Sequence, residues 1–259
     1  MWAGNRLIID MPWITAAVLV SIRLSAMLLM TPVLPAASVP APIRILLIFV
    51  FALMLTLGLP GMRFPAPLTF ETLAGAGIAE LGLGAMMGLG ILMAFSAFAV
   101  AGRLLDVQIG YGIAQVFDPV TRRQTPILSM ALNQLAVVVF FASNGHHVLL
   151  RGLAYSFERF PVGRVFDLSA SLPAMFKQMA GLFTLGFALV APVVFCILLA
   201  EFALGILTRN LPQMHVFALA HSIKIVVGLS ALSIWLAGAG GVLDRIYRSI
   251  FQFWEAAFR

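Results

Sequence analysis

The three longest stretches of this 259-residue chain without Asp, Glu, Lys or Arg are 81–102, 124–150 and 178–200, of 22, 27 and 23 residues. A helix needs about 20 apolar residues to cross a bilayer core, so each stretch is long enough to span one. They belong to a series of six apolar segments, at 11–31, 43–59, 69–101, 126–143, 173–208 and 213–238. Only 10% of the chain is charged and 62% falls among AVILMFWYC, whereas soluble domains carry about 25% charged residues. A single core cannot bury that much apolar surface. The composition therefore excludes an ordinary cytosolic enzyme, a disordered tail and a secreted disulfide scaffold. No run alternates polar and apolar residues for long, which disfavours a transmembrane β-barrel. The expected fold is all-α, a membrane-associated assembly of long, partly broken apolar helices and helical hairpins.

Proline marks the joints. Pro32, Pro35, Pro40 and Pro42 follow the first segment, and Pro60, Pro65 and Pro67 follow the second. Each lacks a backbone donor and restricts the residue before it. The first segment is expected to be retained, because Asp10 interrupts its start and Arg23 its middle, unlike a cleavable leader. From Phe70 to Phe117 there is no proline, and so long a helix must break, tilt or leave the hydrocarbon. Gly102, Gly110 and Gly112 are the expected break points. Gly84-x-x-x-Gly88 offers a small-residue face for close helix approach. Two stretches are amphipathic, one through Leu149, Leu153 and Phe157, the other through Leu243, Ile246, Tyr247, Ile250 and Trp254. Such faces are expected at an interface or against a partner.

Chemistry is sparse. The single cysteine, Cys196, precludes an internal disulfide or a thiolate cluster. Of the 16 basic residues only Lys177 and Lys224 are lysines, and the arginines stand singly between apolar segments. Nucleic-acid binding needs a basic stripe instead, so no nucleic-acid partner is expected. His146 and His147 are adjacent, which on a helix predicts rings that diverge by about 100°. No Walker loop, H-E-x-x-H or paired carboxylate motif occurs. No enzyme activity, metal or cofactor is expected. Arg23, Glu80, Glu201, His221 and Lys224 lie inside segments otherwise fit for lipid. A charge at a bilayer centre costs about 2.5–3.5 kcal/mol on insertion scales, so these groups should face protein or water. They serve either interhelical pairing or a polar path across the protein.

Several short motifs then appear in order. Arg23 precedes the Pro-rich turn and Arg44, followed by Gln108-x-Gly110-x-x-x-Ala114-x-x-x-Asp118-Pro119. After these come Phe141-x-x-Asn144-Gly145-His146, Ser156-Phe157, Pro161-Val-Gly163, Ala191-Pro192 and Arg209-x-x-Pro212-Gln213-x-x-Val216-Phe217. In this order they resemble the FliR family of flagellar export proteins and its injectisome counterparts, over nearly the whole chain. The resemblance implies a subunit of the type III export gate. Such a subunit assembles with FliP-like and FliQ-like subunits into a helical pore, joined by an FlhB-like protein, and unfolded flagellar proteins pass through it. It implies a FliP-like part at 1–172 and a FliQ-like hairpin at 173–259 that carries the C-terminal amphipathic helix. It also implies a pore plug at 110–125, with Gly110 and Gly112 bending the backbone, Asp118-Pro119 ending a helix, and Arg122 and Arg123 near the lumen. The implied location is the bacterial inner membrane and the flagellar basal body. Membrane lipid is a further implied partner, but the assembled gate is displaced toward the periplasm and its apolar helices bury against neighbouring subunits rather than lipid. The alternatives are an injectisome gate subunit, or a self-contained transporter or channel using Glu80, Glu201 and Lys224. A transporter often shows two related halves, and none is visible between 1–125 and 126–259.

Overall fold

A computed structural model describes residues 10–32, 39–58, 64, 69–110, 126–164, 166, 168–210 and 216–258. These residues are helical, joined by turns, and among them there is no strand. The helices are α1 (Met11–Met30), α2 (Ala41–Gly58), α3 (Phe70–Ile109), α4 (Ile127–Ala142), α5 (Gly145–Arg159), α6 (Leu168–Asn210), α7 (Val216–Gly238) and α8 (Gly240–Ala257). α1, α2, α3, α6 and α7 are each long and apolar enough to cross a membrane, and α4 with α5 adds a sixth if counted as one broken span.

Local chemistry sets the ends. Asp10, which interrupts the first apolar run in the sequence, is the N-cap of α1, its carboxylate accepting from the Trp13 N–H at 3.0 Å. Thr69 and Thr72 cap the start of α3 reciprocally, each hydroxyl accepting the other's backbone N–H. α3 is 40 residues long, about 60 Å at 1.5 Å per residue. It does not break at Gly102, contrary to expectation. Gly102 stays helical, and its missing side chain admits Ser129 instead, since a Cβ there would meet the Ser129 backbone nitrogen at 2.7 Å. The break comes at Gly110, where φ is +90°. α6 continues through Pro192, which has no N–H to give the preceding turn. At that turn the Trp235 indole N–H donates to the Leu189 carbonyl at 2.7 Å.

The chain forms two compact units, each assembled from separated segments. The first comprises residues 1–92, 144–175 and 253–259. Its core holds Val20, Leu24 and Met27 of α1, Leu83, Met87 and Ile91 of α3, and Leu153 of α5. α1 lies on the Gly84/Gly88 face: a Cβ on Gly84 would stand 2.8 Å from the Ala26 Cβ, and one on Gly88 2.9 Å from the Met30 Cβ. Trp254 of α8 donates its indole N–H to the Met87 carbonyl at 3.1 Å.

The second unit comprises residues 93–143 and 176–252. Phe95, Phe98 and Phe140 surround Tyr247, with ring centroids 5.6–6.1 Å from the tyrosine. The Tyr247 hydroxyl donates to the Ala136 carbonyl at 2.7 Å. Burial pushes this phenol well above its ordinary range. The apolar face of α8 therefore packs within the chain. Ile246 and Ile250 are fully buried and Trp254 nearly so, worth about 1.5–3 kcal/mol each. The sequence pattern marks that face, but its partner is internal rather than a membrane surface or another protein.

Much apolar surface stays uncovered. Phe176, Phe183, Phe187, Phe195 and Phe202 of α6 are all more than half exposed, as are Val226 and Ile234 of α7. Soluble monomers rarely expose contiguous apolar patches beyond a few hundred Å². Lipid or neighbouring protein must cover these helices.

Candidate functional site

Arg23 lies on the buried face of α1, and its guanidinium forms a fork with the Glu80 carboxylate of α3. Nε donates to Oε2 at 2.5 Å and Nη2 to Oε1 at 3.0 Å. Both side chains are fully buried. Nη1 donates to the Ser156 hydroxyl at 3.1 Å and Nη2 also to the Phe160 carbonyl at 3.0 Å. The Phe157 ring centroid lies 4.0 Å from the guanidinium carbon, close enough for a cation–π contact. Glu80 Oε1 accepts in addition from the Gly163 N–H at 3.0 Å. Gly163 adopts φ +83° and packs against Phe64, so glycine is required at this turn. One ion pair thus ties together α1, α3, the end of α5 and the turn that follows it.

The other pair of predicted charges is also brought together. Lys224 of α7 donates to Glu201 of α6, and the two side chains are 23% and 37% exposed. They form a polar spot on otherwise apolar outward surface. His221 lies elsewhere, against Gly110: a Cβ on that glycine would stand 2.7 Å from His221 Cε1.

The ends of the segment expected to act as a plug are fastened by a residue outside the predicted set. α4 begins after Pro126, which supplies no side-chain cap. Asp106 of α3 serves instead. Its carboxylate accepts from the Leu128 N–H at 2.9 Å, the Ser129 N–H at 3.1 Å and the Ser129 hydroxyl at 3.0 Å. Orphan N–H groups at a helix start favour a nearby anion, and Asp106 is 2% exposed. The chain leaves α3 just after Asp106 and returns just before Leu128, so one carboxylate holds both ends. Gly110 turns the exit. Gly112, Asp118, Pro119, Arg122 and Arg123 lie outside the described residues.

The remaining motif residues are scattered. Gln108 is half-buried near the end of α3. Asn144 takes a left-handed conformation, φ 58° and ψ 25°, and starts α5 at Gly145. His146 follows, and its ring lies 4.1 Å from that of His147, centroid to centroid. The two rings lean together in the first helical turn, where no preceding turn constrains them, rather than diverging as expected. Arg209 is exposed in the last turn of α6, and Pro212 and Gln213 lie outside the described residues.

The chain matches the bacterial export proteins, family 1, over residues 14–250. It is 32% identical to the flagellar biosynthetic protein FliR of Bacillus subtilis, covering 92% of this chain and 90% of that one. This chain belongs to the FliR family of bacterial export proteins. The Escherichia coli FliR protein is 26% identical over 89% of this chain and 88% of its own length. The Yop proteins translocation protein T of Yersinia pestis is 28% identical over 60% of each chain.

In this FliR-family chain the buried Arg23–Glu80 and Asp106–Leu128 contacts join one helix to another. Among the described residues no group of three His, Cys, Asp or Glu could hold a metal ion. Sequence reasoning missed Asp106 and Ser129, and it marked Ser156 only as part of a motif, not as a partner of Arg23. Asp106 follows Arg103 by three residues near a helix end, a spacing that looks like an ordinary solvated pair. No signal in the sequence marks it, because Thr125-Pro126 reads as an ordinary capped helix start; the need for Asp106 shows only once Pro126 itself takes the N-cap position.

Proposed function

We propose that this chain is a non-catalytic subunit of the flagellar type III protein export gate. In this reading it forms, with FliP-like and FliQ-like subunits, the pore through which unfolded flagellar proteins leave the cell, and an FlhB-like protein associates with that core. The observation that carries the reading is end-to-end likeness to FliR proteins, about nine-tenths of both chains for the Bacillus subtilis protein. The injectisome relatives align over a shorter part, 60% of this chain for the Yersinia pestis and Salmonella typhimurium proteins, which favours flagellar use. The uncovered faces of α2, α6 and α7 suit a subunit whose surface is completed by neighbours in the inner membrane, or by an assembly displaced toward the periplasm. The FliP-like part at 1–172 and the FliQ-like part at 173–259 meet within α6, and both parts contribute to each compact unit.

Residues 110–125 are the plug in this reading, and the Asp106 fastening supports it. A segment held at both ends can block a channel and be displaced without unravelling α3 or α4. The test is a strain lacking its own copy of this protein. The wild-type chain should restore flagella and release of flagellar proteins into the medium. A chain lacking 111–123 should assemble but leak small ions. Normal flagella without the protein would refute the gate role, and a sealed, assembled deletion would refute the plug.

A further inference from the structure

α1 and α2 enclose a groove of about 440 Å³, with Ser25 and Leu29 on one wall and Arg44, Ile45, Ile48 and Phe49 on the other. Arg44 stands in the first turn of α2. Its Nη2 donates to the Val39 carbonyl at 3.2 Å, while its Nε is buried with no acceptor. Among the described residues no carboxylate pairs with Arg44, unlike Arg23 and Lys224. A guanidinium with a dry, unused donor lacks an anion. The start of α2 adds positive potential at the same place. Below the guanidinium the groove is hydrocarbon: Ile45 is 68% and Phe49 50% exposed along it, and Ile48 closes the floor. Both walls belong to helices long and apolar enough to cross a membrane. A small soluble anion would gain nothing from these apolar walls, whereas an amphiphile fits both parts.

We propose that this groove binds an anionic phospholipid, with the headgroup phosphate on Arg44 and an acyl chain along Ile45, Ile48 and Phe49. A zwitterionic headgroup would bring its cation beside Arg44 with no carboxylate to receive it. Basic pockets between membrane helices hold anionic headgroups for the same reason. The inference does not depend on the export-gate reading, because it uses only the two helices and their arginine.

The test uses the full-length chain in its membrane, with whatever subunits accompany it, and phosphatidylglycerol or phosphatidylcholine carrying a photoreactive acyl chain. Peptides covering 41–49 should be labelled about fivefold more by phosphatidylglycerol than by phosphatidylcholine, the ratio expected from one arginine–lipid contact. Arg44→Gln should bring that labelling down to the phosphatidylcholine level. Ser25→Phe, which narrows the groove and leaves Arg44 in place, should lower it as well and decides the matter if Arg44→Gln does not fold. Equal labelling by the two lipids, or labelling unchanged in the folded variants, overturns the proposal. Loss of labelling on adding inorganic phosphate also overturns it, since the site would then be one for a free anion.

Discussion

At the scale of single residues, the Arg23–Glu80 pair is the most consequential contact in the first unit. Removing one member of a buried ion pair leaves the other uncompensated, at about 3–5 kcal/mol. Arg23→Gln and Glu80→Gln should each sharply lower the melting temperature and the amount of folded chain recovered in detergent. The double variant should lose much less than the sum, though not nothing, because Ser156, the Phe160 carbonyl and the Gly163 N–H also lose a partner. Additive losses would mean the two side chains act separately. Tyr247 gives a pH signature. Its buried phenol ionises less readily in the folded chain, so folding keeps this stability below the ordinary tyrosine pKa, about 10. As pH rises above that value the unfolded chain ionises first and stability falls. Comparing melting temperatures of the wild type and Tyr247→Phe across this range checks the claim: the variant should show a smaller alkaline loss.

At the scale of helices, two glycines in α3 two residues apart should respond in opposite directions. Gly82 has nothing within 4 Å of where a Cβ would stand. Gly82→Ala should therefore stabilise by about 0.5–1 kcal/mol through helix propensity. A Cβ on Gly84 would press on the Arg23 carbonyl and Ala26, and Gly84→Ala should destabilise by about 1–3 kcal/mol. Thermal melts of the two variants in the same detergent decide this, and equal effects would mean α1 does not lie on that face. Asp106→Ala removes the borrowed cap of α4, a loss of about 0.5–2 kcal/mol for a helix cap. Amide exchange at Leu128 and Ser129 should speed up in that variant while α1 is unaffected. The helices were largely legible in the sequence because long charge-free runs, proline joints and the Gly84/Gly88 spacing act locally. The contacts that fix the site were less so. Glu80 sits 57 positions from Arg23, and no local pattern pairs them. Asp106 reads as a surface residue until the start of α4 is brought beside it. The face of α8 was visible, but whether it met lipid, a partner or its own chain depends on which helices lie opposite.

At the scale of the whole molecule, some helices are covered by the chain itself and others are not. Within the most apolar window, 61% of α3 is buried inside the chain, against 11% for the Ala220–Gly238 stretch of α7. The chain closes its own cores and leaves α2, α6 and α7 for other surfaces to complete. Lys224 and Glu201 lie on that open surface, so Lys224→Gln should cost less than about 1 kcal/mol in the isolated chain. The export-gate reading makes those open helices subunit contacts, and the most direct test is co-expression of the tagged chain with FliP-like and FliQ-like proteins from the same bacterium. All three should co-purify as one discrete complex in mild detergent, and the chain expressed alone should be poorly recovered or aggregate. A chain that is stable and monodisperse alone, and that retains neither partner, would rule out the export-gate role.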